Sequence, residues 1–339
     1  ADAIQLQGKW ICLMKVLVTG GAGYIGSVIT EKLLGAGHEP IIYDSFLHGH
    51  AAAIPAGVAV VRGDVRDTTL LLQTLRAERI EAVIHMAGLI EAGLSVTHPE
   101  QFFAVNVGGS ASVCEAVCAA GVRRLVFSST GSIYGNTNKA PFSEDTPAAP
   151  ENPYAESKLM AERMLASIAP ARDMVCTALR YFNAAGATER NGEAHEPETH
   201  LIPLVLGAAE RGAPVSIFGT DYPTPDGTTI RDYVHVVDLA RAHLLALARE
   251  QAGLRIYNVG TGTGYSVRQV VTTAQEVTRI AFPICEEPRR PGDQIISVAS
   301  AARITTELGW QPRYGDLRAI LASAWAWRQQ HPHGYDGGK

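Results

Sequence analysis

The first half of the chain alternates between two kinds of pattern. Short, nearly unbroken apolar runs stand at 15–19, 39–44, 58–64, 82–88 and 124–130. Between them lie longer amphipathic stretches, one ending at Gly35/Gly37 and others spanning 67–78, 99–120 and 154–169. A run that is apolar at almost every position has no wet face, so each predicts a strand buried on both sides. Strands that alternate with helices predict a parallel, doubly wound α/β sheet covered on both faces. Beyond residue 183 the pattern changes. Helices are predicted at 203–212, 238–249, 266–279, 300–309 and 316–330, with short strands near 215–218 and 256–259. The expected division is a first domain over 14–183 and a smaller C-terminal α/β lobe over 184–339. Segments near 229–260 (YVHVVDLARA and IYNVG) are expected to return to the first sheet. Residues 1–13 read as an N-terminal extension outside the fold, with Met14 opening the first strand.

That strand runs straight into GGAGYIG, which sets Gly20, Gly23 and Gly26 at G-x-x-G-x-x-G spacing and opens a helix. The first glycine permits a tight turn, the second lets a pyrophosphate approach the backbone, and the third packs helix on strand. The helix N-terminus adds amide donors and a positive dipole. The next strand ends in Asp44, where a carboxylate accepts hydrogen bonds from an adenosine ribose and repels a 2′-phosphate. Strand, glycines, helix, strand and acid in this order predict a Rossmann sheet that holds NAD rather than NADP. The carboxyl ends of the strands carry Thr19, Asp64, Ala87–Gly88 and Ser128–Ser129–Thr130. Any one of these suits a turn. On a single edge they mark where ligands bind in an open α/β sheet.

ENPYAESKLM (151–160) follows that edge. Pro153 suits the first position of a helix, and Tyr154 and Lys158 then share a face one turn apart. Read plainly, the pair decorates a helix surface. Read chemically, a phenol with an ammonium one turn behind it is a proton-transfer device. Tyrosine ionises near about pH 10, so a base working near neutrality needs a downward shift of about three units. Lys158⁺ and a nicotinamide⁺ both have the sign to contribute. Thr130 adds a short hydroxyl able to hold a substrate oxygen. The three describe a site that oxidises an alcohol beside NAD.

Composition narrows the classes. The 339 residues are 46% hydrophobic and 19% charged with a net charge of −5, so neither nucleic acid nor an anionic membrane is an expected partner. No apolar run approaches the ~18 residues of a membrane span. The first residues show no cleavage pattern of a signal peptide. Five scattered cysteines, Cys12, Cys114, Cys118, Cys176 and Cys285, make neither a disulfide framework nor a metal-ligand spacing. Cys114 and Cys118 read as small core residues on one helix face, and a reducing, cytoplasmic setting is expected.

Seven motifs point to one family: GGAGYIG (20–26), HMAG (85–88), SSTGSIYG (128–135), YAESK (154–158), LRYFNAAGA (179–187), IFGTDYPTPDGTTIRDYVHVVDLARAH (217–243) and HPHGY (331–335). From Met14 to about Tyr335 the chain resembles the UDP-glucose (UDP-galactose) 4-epimerase family of the extended short-chain dehydrogenase/reductase superfamily. YxxxK alone marks the superfamily, and the DGTxxRDYVHVxDLAxAH block is more specific for the epimerase branch. The resemblance implies transient oxidation at C4 of a UDP-sugar beside tightly held NAD. Tyr154 takes the proton of the 4-hydroxyl, Thr130 binds that hydroxyl, and Lys158 tunes Tyr154 and holds the nicotinamide ribose. The resemblance further implies cofactor contacts at Gly20, Gly23, Tyr24, Ile25, Gly26, Asp44, Ser45, Asp64, Val65, Met86, Ala87, Gly88, Ser128 and Tyr181, with Asp44 and Asp64 facing the adenosine.

A sugar that turns over needs an anchor elsewhere, and UDP is one. Arg231 and Arg289–Arg290 are the candidates, since guanidinium groups bind phosphate oxygens bidentately. Surface arginines are common, so the residues alone leave both sites open. The resemblance selects Asn183, Arg231, Arg290 and Asp293, the last for the uridine ribose, and leaves Arg289 solvated. It adds His200 and Leu201, and places Val215, Ser216 and Phe218 beside the uracil. No metal is implied. A homodimer through helices 99–120 and 154–169 rests on the resemblance alone.

Four positions depart from the usual bacterial pattern. Ile90 stands where a lysine often lies near the cofactor. Val105 stands where an asparagine often does, with Asn106 beside it. His200 replaces an asparagine near the pyrophosphate and reads equally as a ligand contact or a structural residue. Ser297 stands where a bulky tyrosine often narrows the sugar pocket. A serine there leaves room for an N-acetyl group at C2, unless the loop has shifted and Ser297 lines nothing. A pentose or uronate 4-epimerase is the alternative, although no cation or hydroxyl cluster for a uronate is visible. A dehydratase or decarboxylase usually carries an acid after the Ser/Thr, where this chain has Gly131–Ser132. A dinucleotide-sensing regulator typically loses the Tyr–Lys pair, which this chain keeps.

Overall fold

A computed structural model describes residues 3–6, 9–136, 138–290 and 293–335, the first two strands by their backbone. The expectation of an extension over 1–13 lies partly outside these residues. Within it, β1 (Ala3–Leu6) and β2 (Lys9–Cys12) pair with each other as an antiparallel two-stranded sheet. Then come β3 (Lys15–Thr19), α1 (Tyr24–Gly35), β4 (Glu39–Asp44), β5 (Ala59–Arg62), α2 (Thr68–Ala77), β6 (Ala82–His85) and α3 (Ala92–Thr97). A long helix follows, made of α4 (Pro99–Phe102), a π-helical turn (Phe103–Gly108) and α5 (Gly109–Ala120). After it come β7 (Arg124–Thr130), α6 (Pro153–Ala171) and β8 (Val175–Tyr181). The remainder is β9 (Asn183–Ala185), α7 (Leu201–Arg211), β10 (Val215–Phe218), β11 (Ile230–His235), α8 (Val236–Leu247), β12 (Gly253–Val259), β13 (Gly264–Ser266), α9 (Val267–Thr278), β14 (Ile284–Glu287), β15 (Ile296–Ser297), α10 (Ala302–Leu308) and α11 (Leu317–Gln330).

Seven strands form one parallel sheet in the order β12-β8-β7-β6-β3-β4-β5. The chain reverses its winding between β3 and β6, so a crevice opens at their carboxyl ends. Strand β3 shows why the runs are unbroken. Val16 and Val18 enter one core with Val28, Ile29 and Leu33 of α1 and Leu239 of α8. Leu17 enters the opposite core with Leu71 of α2, Val113 and Val117 of α5 and Leu165 of α6. Each such side chain contributes ~1.5–3 kcal/mol by leaving water. A third core, around Ile202, Val205, Ile217, Val270 and Ile320, holds the second lobe together.

Part of 229–260 does join the first sheet. β12 is its edge strand beside β8, and α8 packs on α1. β11, expected there too, lies outside: it pairs with β13, β15 and β9. The buried carboxylate of Asp232 explains this. It accepts hydrogen bonds from the amides of Thr261, Gly262 and Ala299 and from the Thr261 hydroxyl, which ties β11 to turns of the second lobe.

The stretch 99–120 also differs from expectation in two ways. It is long and apolar enough, by length and composition, to cross a membrane, because Gly, Ala and Ser interrupt its apolar residues without adding charge; 44% of an apolar 18-residue window within it is buried in the fold. Its middle turn is π-helical, and this brings Asn106 inward. The Asn106 amide donates to Leu89 O and Ser157 Oγ and accepts from Leu89 N, fastening the loop after β6 to α6.

Candidate active site

At two of its glycines the turn is shaped by contacts that leave no choice of residue. Gly20 has φ of +71°, and a Cβ there would stand 2.7 Å from the Ala87 amide nitrogen. A Cβ on Gly26 would stand 2.2 Å from Gly20 O. One on Gly23 would only graze Gly20 O at 3.4 Å, so that side of the turn is open. α1 begins there with no side-chain cap and no acidic residue in its first turn, which leaves its amides and positive dipole end to an anion. Tyr24 donates to Gly186 O at 2.5 Å, and Ile25 packs on the first core. Asp44, at the end of β4, is 7% exposed and is oriented by the amides of Ala22 and Phe46, at 2.9 and 2.8 Å. An uncapped helix start beside a buried, oriented carboxylate fits the pyrophosphate and ribose of a dinucleotide. Three neighbours serve the chain itself. The Asp64 carboxylate is taken up by Arg66 (Nε 2.9 Å, Nη2 2.6 Å), Ser45 is exposed and accepts from Leu47 N, and Val65 is buried against Gly109.

The Tyr–Lys pair is set by the start of α6. Asn152 caps the helix by accepting from Ala155 N at 2.9 Å, and Pro153 takes its first position. Tyr154 is then placed to hydrogen-bond Thr130, the last residue of β7. Lys158 is 3% exposed. Its Nζ donates to Ser128 O at 3.0 Å and lies 5.2 Å from the Phe127 ring centre, and burial pulls its pKa down to about 8. The hydroxyls of Ser128 and Tyr181 bond to each other, and Tyr181 also reaches Met86 Sδ at 3.8 Å. The lowering of Tyr154 was expected from Lys158 and a nicotinamide cation together, and the chain alone shifts the phenol the other way. Burial pushes the Tyr154 phenol up, against a smaller downward pull from Thr130, while Lys158 directs its proton at Ser128 O. Beneath the pair, Arg180 and Glu162 form a buried ion pair (2.6 Å) that also holds Ser129 and Tyr134.

A cleft opens between the sheet edge and the second lobe, and Thr130, Tyr181, Asn183, Arg231, Asp293 and Ser297 line it. Arg231 donates to Ile230 O at 3.0 Å, and among the described residues no carboxylate lies within ion-pair distance of it. Burial lowers its pKa, so the charge is held at a cost that an anion in the cleft would offset. Asp293 pairs instead with Arg290 at 3.3 Å, whose guanidinium lies 4.5 Å from the Phe218 ring centre. Arg289 turns away to Asp221 at 2.6 Å. Ser297 lies on β15 as the register partner of Arg231 and is 5% exposed.

Other expected residues fall elsewhere. His200 is exposed, bonds Glu198 at 2.8 Å, and lines a separate small cavity beside Tyr24 and Glu193. Leu201 and Val215 pack on the second-lobe core, and Ser216 is exposed between them and the solvent. Ile90 is 40% exposed. Sequence reading passed over Glu151 and Gln294, which line the cleft. Glu151 is held by the amide and side chain of Asn136, and only the fold brings those two segments together.

Fold and site together define an enzyme that uses a dinucleotide to act on an alcohol of a phosphate-bearing substrate. The chain belongs to the NAD dependent epimerase/dehydratase family, whose profile matches residues 16–260. It is 45% identical to the UDP-glucose 4-epimerase of Streptomyces lividans over 325 residues, 95% of this chain and 98% of that one. It superposes on a crystal structure of a UDP-glucose 4-epimerase with a TM-score of 0.91 at 41% identity, covering 95% of this chain and 100% of the other. The UDP-glucose 4-epimerase of Bifidobacterium longum, solved in complex with NAD+ and UDP, matches with a TM-score of 0.90 at 34% identity, over 94% and 99% of the two chains.

Proposed function

We propose that this chain interconverts UDP-glucose and UDP-galactose by oxidising and then re-reducing C4 of the sugar. One observation carries the reading: a single cleft joins Thr130, the partner of Tyr154, to Arg231, a half-buried guanidinium with no carboxylate at ion-pair distance among the described residues. NAD, when bound on the glycine turn, supplies the hydride acceptor and donor and a positive charge near the phenol. Thr130 holds the 4-hydroxyl, Tyr154 removes its proton and later returns it, and no net oxidation remains. Lys158, fixed on Ser128 O, adds a cation behind the phenol and a donor toward the nicotinamide ribose. Arg231 and Asn183 hold the diphosphate and Asp293 the uridine ribose, so the nucleotide stays fixed while the sugar turns. Binding energy spent on this remote part positions the reacting carbon. Purified protein with no NAD added should convert UDP-galactose to UDP-glucose, followed by proton NMR of the anomeric signals. No conversion, even after NAD is supplied, would reject the reading.

Three finer points belong to the same proposal. Ser297 is a small residue in the wall of the sugar cleft, which supports acceptance of UDP-N-acetylglucosamine and UDP-N-acetylgalactosamine. Ser297→Tyr should then abolish N-acetyl conversion and keep hexose conversion. Glu151 in the same wall disfavours a uronate carboxylate. The chain pairs with a second copy through α5 and α6 rather than entering a membrane: Leu94, Val96 and Met160 add exposed apolar surface around this face, and light scattering should give twice the chain mass. The described cysteines are free thiols, two of them raised to about 12 by burial, which supports a reducing, cytoplasmic setting.

A further inference from the structure

Three segments far apart in the sequence meet beside the cleft: the loop after β4, the residue that precedes α3, and the loop that leads into α7. They bring together His48, Glu91 and His195. Among the described residues this is one group of side chains with the composition of a metal site. His195 Nε2 stands 3.0 Å from Glu91 Oε1 and His48 Nε2 stands 3.9 Å from the same oxygen. The two imidazole rings lie 4.8 Å apart, centre to centre. The three potential ligand atoms all fall within 4.8 Å of one another.

We infer that His48, Glu91 and His195 form a binding site for a divalent transition-metal ion of the zinc type. An ordinary ion pair needs one imidazole on one carboxylate oxygen. Here two imidazole Nε2 atoms converge on a single oxygen, which is the arrangement of a chelate. A zinc ion takes N and O ligands at ~2.0–2.2 Å, which sets tetrahedral ligand atoms about 3.4 Å apart. The observed separations of 3.0 and 3.9 Å bracket that value, and small imidazole rotations close the remainder. The other Glu91 oxygen accepts from Ile90 N at 3.1 Å, so the carboxylate is oriented from behind. Side-chain exposure is 9% at His195, 11% at Glu91 and 36% at His48, which leaves an entry path on the His48 side. Two nitrogens and one carboxylate select Zn²⁺, Co²⁺ or Ni²⁺ over Mg²⁺ and Ca²⁺, which prefer all-oxygen ligands. The fourth position falls to water. The ion would tie the loop that follows Asp44 to the segment beside the cleft-lining Ala92 and to the loop of the second lobe, acting as a clasp across the mouth of the site.

Purified full-length protein, treated with a chelator and then dialysed, is titrated with Zn²⁺ and with Co²⁺. One ion per chain should bind with a dissociation constant at or below about 10 µM, and Co²⁺ should give the intense visible bands of four-coordinate geometry. His48→Gln and His195→Gln should each weaken binding at least tenfold and remove the Co²⁺ bands, while Cys285→Ser, at an exposed thiol elsewhere, should change neither. His48 is part-exposed, so His48→Gln should keep the native circular dichroism even where His195→Gln does not. Absence of one-to-one binding, binding unchanged in His48→Gln, or binding lost in Cys285→Ser would each overturn the assignment.

Discussion

The two ends of the cleft are built on opposite principles. At the sheet edge every chemical group already has a partner within the chain: Lys158 on Ser128 O, Tyr154 on Thr130, Tyr181 on Ser128. Below them the Arg180–Glu162 pair anchors Ser129 and Tyr134. At the second lobe the main cation, Arg231, is half-buried with no carboxylate at ion-pair distance among the described residues, and Arg290 is 57% exposed in its side chain. A self-satisfied network holds its geometry by itself, which is what proton transfer over a fixed distance requires. A cation without an ion-pair partner is completed by its ligand, which is what an anchor for a diphosphate requires. The chain thus keeps its rigid polar network where bonds change and its open charge where substrate is held.

The sharpest way to break this contrast is at the phenol. Tyr154→Phe should lower turnover by roughly 10²–10⁴-fold, the range of a lost general acid/base, and leave retained NAD, read by absorbance, unchanged. Turnover within a few-fold of the parent would remove Tyr154 from the chemistry. Next in size, Glu162→Ala strands the Arg180 charge in the core. Breaking a buried pair from one side costs ~3–5 kcal/mol, read as a lower midpoint in urea. A loss below about 1 kcal/mol, the value of an exposed pair, would show the network beneath the site to be dispensable. At the other end, Arg231→Ala should raise KM for UDP-galactose roughly 10- to 100-fold, in line with ~1.5–3 kcal/mol for a hydrogen bond to a charged group, and move kcat less. Arg290→Ala, at an exposed site, should do less. Equal effects of the two on kcat alone would erase the distinction between anchor and chemistry.

The sequence was legible where neighbours in space are also neighbours in the chain. The glycine turn, Asp44 at the next strand end, and the Tyr154/Lys158 face of one helix are all local patterns, and β7 and β10 fall where the apolar runs put them. Registers and long-range partners were not legible. β11 was expected in the first sheet, and only the buried Asp232 network shows why it goes elsewhere. The acceptor of Lys158 was hidden for a similar reason. Spacing puts Lys158 on the same helix face, but the strand end supplies Ser128 O as its acceptor. His48, Glu91 and His195 carry no short spacing at all, so nothing in the chain announced their meeting.

The smallest effect tests the idea that the sheet-edge end is a closed network. His85, 2% exposed, is bonded to Thr19 Oγ1 at 2.7 Å and Ser110 Oγ at 3.0 Å, and burial, with Lys158 nearby, lowers its pKa to about 3. A histidine whose folded pKa lies below its unfolded value of about 6.5 stays neutral in the fold and takes a proton on unfolding. The unfolded state therefore gains relative to the fold as pH drops below 6.5, and the loss continues toward pH 3. Each such histidine costs up to about 1.4 kcal/mol per pH unit within that window. His235 and His243, both lowered to about 4, add slopes of the same sign. Urea unfolding at pH 7.5, 6.0 and 5.0 should show stability falling toward acid, and His85→Gln should flatten the fall by about one proton's worth while Tyr154→Phe leaves it alone. A slope unchanged in His85→Gln would mean that the imidazole is already charged in the fold. The hydrogen bonds among Thr19, His85 and Ser110 would then have to be redrawn with the ring donating at both nitrogens.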